Sequence, residues 1–266
     1  MNIFWNNKRF SVFLFIFTNI SITIFFIVAV STAFPELMRV QLAQSWARIV
    51  CVFVLVHFCL CFIEFFLHRY ALHARLPLLG HFFEKHTHHH SLTTVVMEGT
   101  LNSNHYPIIK DEQYESSFFP WYTLIIFACM LTPVFILIAF ITPTTPILIS
   151  GYLAMLFSLA LYEFIHLVLH YPFARWEKII SNRHIGRAVR TGYSFHLAHH
   201  ACIRNNESVS GFFGIPVADI LFGTVKIPKN LYTPHEPAYA DDFVPARPVW
   251  FIRALDKVLQ PQKTSA

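Results

Sequence analysis

Histidine is the residue type from which chemistry can be read, with 16 in a chain of 266. Ten of them fall in four short clusters: His68 and His73; His86, His89 and His90; His166 and His170; and His196, His199 and His200. Spacings of the form HxxxH and HxxHH set imidazoles on one side of a helix. Positions four apart differ by about 40° around the axis, and the HxxHH trio spans about 100°. Neutral imidazoles aimed the same way are metal ligands before they are anything else. Ten of them suit two ions with five nitrogens each, which exceeds the four ligands of a closed zinc site. Imidazole alone does not choose among iron, zinc and copper.

One pair breaks the pattern. His68 and His73 are five apart, about 140° on a regular helix, so they converge only if the helix distorts or ends between them. Pro77 gives a reason for an ending nearby. In Lys85-His-Thr-His-His-His-Ser91 only His86, His89 and His90 fit the HxxHH register, and His88 points elsewhere. His57, in mid-span, reads as a packed or hydrogen-bonded side chain. His81, His105, His184 and His235 read as surface or loop residues. Glu64, one turn before His68, and Glu163, three residues before His166, each have two readings: acceptor of a ligand's ring N–H, or interfacial carboxylate paired with Arg69 or a lysine.

The elements that must position these rings are membrane helices. Hydrophobic residues make up 55% of the chain and charged ones 13%, too apolar for a soluble domain of this size. Four apolar runs are long enough to span a bilayer: Ser11 to Phe34, Ala47 to Phe66, about Phe119 to Ile141 with Pro133 as a kink, and about Ile147 to Leu169. Ser31-Thr-Ala33 resembles a leader cleavage site, but the first run is too long for a typical leader. Four crossings put the N-terminus, the 67–117 loop and the C-terminal tail on one face. That face holds Lys8, Arg9, Arg69, Arg75, Lys85, Lys110 and the basic tail, while the other has Arg39 and bordering Arg48. The positive-inside rule places the shared, histidine-bearing face in the cytosol. His68 and His166 come 21 and 20 residues after Ala47 and Pro146. That is about 30 Å of helix, the hydrocarbon thickness.

The expected fold is therefore all-α: an integral membrane four-helix bundle with a cytosolic helical cap carrying a histidine-rich dimetal site. Trp176 to Arg190 and Trp250 to Leu259 are candidates for helices lying on the membrane. A net charge of +5 without a long basic block excludes a nucleic-acid-tracking surface. Five cysteines, four of them in apolar runs and none in a CxxC, indicate a reducing compartment and no disulfide framework.

At these residues the chain resembles the fatty acid hydroxylase superfamily, which includes sterol desaturases and related lipid oxygenases. The carriers are Glu64-Phe-Phe-Leu-His-Arg-Tyr-Ala-Leu-His73, the His86 box, Tyr162-Glu-Phe-Ile-His-Leu-Val-Leu-His170 and His196-Leu-Ala-His-His200. They are followed by Gly211-Phe-Phe-Gly-Ile-Pro-Val-Ala-Asp-Ile-Leu-Phe-Gly-Thr224. The likeness suggests an N-terminal lead-in and first transmembrane hairpin (1–53), a fatty acid hydroxylase-like domain (54–224) and a C-terminal cytosolic tail (225–266). HxxxH led by Tyr-Glu looks more like the fatty-acid branch than the sterol branch.

The resemblance implies one metal on His68, His73, His86, His90 and His199, and another on His89, His166, His170, His196 and His200. It implies two iron ions, although zinc can occupy the same nitrogens in purified protein. The implied activity is O2-dependent hydroxylation of an unactivated C–H bond in a lipid, with desaturation on the same centre as the close rival. The sequence contains no GxGxxG, no ferredoxin-like cysteine spacing and no His-Pro-Gly-Gly haem motif. A separate reductase, ferredoxin or cytochrome is the expected electron donor. A metal transporter is the alternative of another class, but transporters bind ions near the bilayer midplane, and these ligands lie at span ends and beyond. A haem electron carrier would need histidines facing each other within the spans, where only His57 lies.

Overall fold

A computed structural model describes residues 12–98, 101–233 and 236–259, with side chains placed outside 96–104. Lys8, Arg9 and His235 lie outside the described residues. The chain divides into two compact units, one of 1–62 with 119–163 and one of 63–118 with 164–266.

The first unit holds the apolar helices α1 (Val12–Ala33), the first part of α3 (Trp46–Phe66), α6 (Thr123–Ile141) and most of α7 (Ile147–Leu169), together with the short polar α2 (Pro35–Leu42). Among the described residues, four helices are long and apolar enough to cross a membrane, α3 being counted with its continuation to Leu72. Large apolar side chains project from them, including Phe13, Phe25, Leu137 and Ile141, each more than half exposed. That surface suits lipid rather than water.

Inside the unit, small and aromatic residues set the packing. A Cβ on Gly151 of α7 would meet the Phe135 ring of α6 at 2.7 Å, so only glycine permits that approach. Phe135 and Phe26 both pack against Tyr152, whose hydroxyl bonds Thr132 Oγ1 at 2.7 Å. Gln41 Oε1 accepts the Leu148 N–H at the start of α7. His57 Nδ1 bonds Ser158 Oγ at 2.8 Å, which matches the packed reading. Pro133 lies within α6, and the helix continues past it.

The second unit begins inside α3. At Leu67 the α-helical pattern gives way to a π-turn, Leu67–Leu72. Next come α4 (Gly80–Leu92) and an antiparallel ribbon of β1 (Val95–Glu98) and β2 (Leu101–Asn104), with Val95 paired to Asn104. Apart from this ribbon the described chain is helix and loop, in line with the all-α expectation. After α5 (Asp111–Ser116), the chain re-enters the unit near the end of α7 and continues through α8 (Phe173–Ile180), α9 (Gly186–Ala201), α10 (Val217–Phe222) and α11 (Trp250–Leu259).

Trp176 to Arg190 is therefore not one helix. Asn182 Oδ1 accepts the N–H of His184 and Ile185 and closes a turn between α8 and α9. Gly186 opens α9 where a Cβ would sit 2.0 Å from the Ile180 carbonyl. The apolar core behind α9 gathers Val95, Tyr106, Tyr193, Leu197, Leu231, Tyr232 and Ala238, with Trp176 packed against it.

Candidate metal centre

The π-turn resolves the awkward spacing of His68 and His73. Bonding from i to i+5 brings residues five apart over one another, as bonding from i to i+4 does in an α-helix. The two rings lie 5.1 Å apart, close to the 4.9 Å between His166 and His170, which are four apart on α7. The helix ends immediately afterwards at His73.

α4 and α9 each carry an HxxHH trio and divide it in opposite senses. All ten histidines converge in two groups: His68, His73, His86, His90 and His199 in one, and His89, His166, His170, His196 and His200 in the other. Within each, the candidate ligand atoms all lie within 4.8 Å of one another. The membership is the division that the resemblance implied. α4 gives an i,i+4 pair to the first group and His89 to the second. α9 gives its i,i+4 pair to the second group and His199 to the first. The groups adjoin, with the His90 and His200 rings stacked at 4.2 Å. Eight of the ten rings are buried, and His73 and His90, both in the first group, are half-buried.

Backbone carbonyls decide which ring nitrogen faces inward. Nδ1–H donates to the Ser117 carbonyl from His166 (3.0 Å), to Tyr106 from His170 (2.8 Å), to Asn205 from His199 (2.8 Å) and to Thr93 from His200 (3.0 Å). His68 Nδ1–H donates to the Glu207 carbonyl. The Ser117 hydroxyl gives its own proton to the Gln113 carbonyl, so its oxygen accepts from His89 Nδ1–H at 3.0 Å. A carbonyl only accepts, so each of these rings is protonated at Nδ1 and presents a bare Nε2 lone pair.

Nε2 atoms within each group face one another, those of His73, His86, His90 and His196 included. Nε2–Nε2 separations are 3.0 Å for His68–His86 and His86–His90, and 3.2 Å for His73–His199. They are 3.1 Å for His170–His196 and 3.3 Å for His196–His200. A proton on His86 or His196 could satisfy one neighbour but not both. His89 Nε2 is buried with no hydrogen-bond partner. A cation satisfies every lone pair at once. Nitrogens about 2.1 Å from a shared ion and at right angles are about 3.0 Å apart. The donor set therefore fits two metal ions.

Protonation does not compete strongly for the rings. Burial is the largest cause holding His73, His86, His89, His90, His196, His199 and His200 well below the usual imidazole range, with neighbouring histidines adding to it. Burial lowers His170 to about 4, against the opposing effect of the hydrogen bond that its Nδ1–H donates to the Tyr106 carbonyl.

Both carboxylates singled out beside the boxes have other work. Glu64 accepts the N–H of Val209 (2.6 Å), Ser210 (2.7 Å) and Gly211 (3.2 Å), and the Ser210 hydroxyl (2.6 Å). Gly211 takes a left-handed φ of 49°, and a Cβ there would strike the Ile215 carbonyl at 2.3 Å. Glu163 accepts the Phe119 N–H at 2.7 Å. Arg69 forms its ion pairs with Glu207 and Asp256. His88 is exposed, 3.6 Å from Glu112, and His81, His105 and His184 are exposed as expected.

Residues 205–211 form a buried polar loop whose role sequence reasoning missed. Asp219 accepts the N–H of Glu207 and Ser208 and the Thr224 hydroxyl. Asn206 bonds the Phe195 carbonyl and both the N–H and carbonyl of Lys226. Together with Glu64 they hold the carbonyls that fix His68 and His199. Asp219 and Thr224 belong to the segment ending in Phe-Gly-Thr, which was the available signal.

Comparison with family models, curated proteins and solved structures finds no match to this chain.

Proposed function

We propose that the protein is a multi-pass membrane oxygenase of the fatty acid hydroxylase type. In this reading two iron ions on the ten histidines serve O2-dependent hydroxylation of a lipid C–H bond. One observation carries it: four separated segments bring ten buried or half-buried imidazoles into two five-nitrogen groups. Five nitrogens leave room for a further ligand on a six-coordinate ion, unlike a closed four-ligand zinc site.

When bound, the ions would supply activation of O2, with two electrons from a separate reductase, ferredoxin or cytochrome. The chain's own residues bind and orient. Nδ1–H bonds to Glu207, Ser117, Tyr106, Asn205 and Thr93 hold the lone pairs inward before any ion arrives. The all-buried second group is shielded from water. In this reading O2 and substrate reach the first group, a choice supported by its half-buried His73 and His90.

The basic residues sorted to one face support a cytosolic site. The helical rise to His68 and His166 supports a position at headgroup level. A lipid whose head stays in water and whose chain lies in the bilayer suits that position, with attack near the head requiring the least travel.

The test is lipid mass spectrometry of cells grown under labelled O2, with and without the gene and with a His199→Ala variant. The proposal expects one lipid class to gain a single labelled oxygen only with the unsubstituted chain. Loss of two hydrogens would reassign the chemistry to desaturation. Identical profiles in all three would contradict both.

A further inference from the structure

Arg69 directly follows the candidate ligand His68 and is 1% exposed. Its guanidinium joins three segments. Nε and Nη2 donate to the two carboxylate oxygens of Asp256 at 2.9 and 2.7 Å. Nη1 donates to Glu207 Oε1 at 2.7 Å and to the Arg204 carbonyl at 3.0 Å. The Tyr70 hydroxyl also donates to Asp256, at 3.0 Å. Asp256 belongs to α11, beyond the part of the chain that carries the histidine boxes.

The loop held by the guanidinium is the one that orients ligands. The Glu207 carbonyl accepts from His68 and the Asn205 carbonyl from His199. Both histidines belong to the first group. The second group takes its Nδ1 acceptors from Ser117, Tyr106 and Thr93.

We propose that Asp256 is a positioning residue for the first metal site alone, acting through Arg69. A bidentate Arg–carboxylate pair fixes direction as well as distance. Without the Asp256 charge the buried guanidinium loses half its compensation, and its hold on Glu207 and Arg204 shifts. Among the described residues, the second group's acceptors lie at Thr93, Tyr106 and Ser117, outside α11 and outside the loop that the guanidinium holds. The inference rests on the reading of the histidines as metal ligands, but not on any oxygenase activity.

The test is anaerobic titration of the full-length, metal-stripped protein in detergent with Co(II), following visible absorption and bound metal. The unsubstituted chain should bind two ions. Asp256→Asn should bind one ion as before and the other about 10-fold more weakly, the low end for losing an outer partner. Asp256→Glu should restore the second ion. Two ions at unchanged affinity in Asp256→Asn would overturn the proposal. Equal weakening of both would do the same, since that is what general loosening produces. An unsubstituted chain that binds no Co(II) would overturn the metal reading itself.

Discussion

His68 and His73 are separated by five positions, yet their rings lie 5.1 Å apart because the helix between them bonds in the π pattern. Extending the interval by one residue, with an alanine inserted after Ala71, should turn His73 away from the first group. Metal content should fall from about two ions per chain to about one, measured by elemental analysis of purified protein. Retention of both ions would show that the π-turn is not what aligns the pair.

Glu64 anchors the loop from which His68 and His199 take their acceptors. Glu64→Ala would strand three backbone N–H groups that now bond a carboxylate. The expected loss of stability is on the order of 3 kcal/mol, with a smaller loss for Glu64→Gln, which keeps one acceptor oxygen. Thermal unfolding in detergent checks the order. A Glu64→Ala chain as stable as the original would contradict the anchoring role.

Acid should weaken the metal-free protein through its buried imidazoles. Their pKa values are depressed in the folded state, His170 to about 4, while unfolded histidine titrates near its ordinary value of about 6.5. The unfolded chain therefore binds more protons below about 6.5, and stability falls as pH falls through that window. Melting temperature should be nearly flat above pH 7 and drop steadily from about 6.5 toward 4. A flat profile down to pH 4 would contradict the burial of the cluster.

Gly186 sits where α9 starts against the end of α8. Gly186→Ala would place a methyl 2.0 Å from the Ile180 carbonyl and should cost about 1–3 kcal/mol, the usual range for overpacking. Gly192→Ala, with open space around it, is the control inside the same helix and should be neutral to stabilising by up to about 1 kcal/mol. Equal melting temperatures for the two variants would contradict the close approach.

Much of this architecture was legible in residue types. The long apolar runs mark the four candidate spans because a bilayer needs a helix of that length. The HxxHH spacing shows which rings share a helix face, and it separates His88 from its neighbours. The π-turn was legible only as a conflict, since a five-residue interval shows that something must bend but not how. The outer partners were hidden for a different reason. Most acceptors of the ligand N–H groups are backbone carbonyls, which every residue type carries. Glu64 and Ser210 meet across 146 positions and Arg69 and Asp256 across 187, with no local pattern to announce either pair. The short ribbon 95–104 was likewise unmarked beside the helical periodicities around it.

The central claim is that ten imidazoles from four segments hold two ions. X-ray absorption on the iron-loaded, full-length protein, with iron counted on the same sample, tests it most directly. The account predicts two irons per chain, each with about five imidazole nitrogens near 2.1 Å and no sulfur. One iron or none per chain, or a shell dominated by oxygen or sulfur, would contradict it.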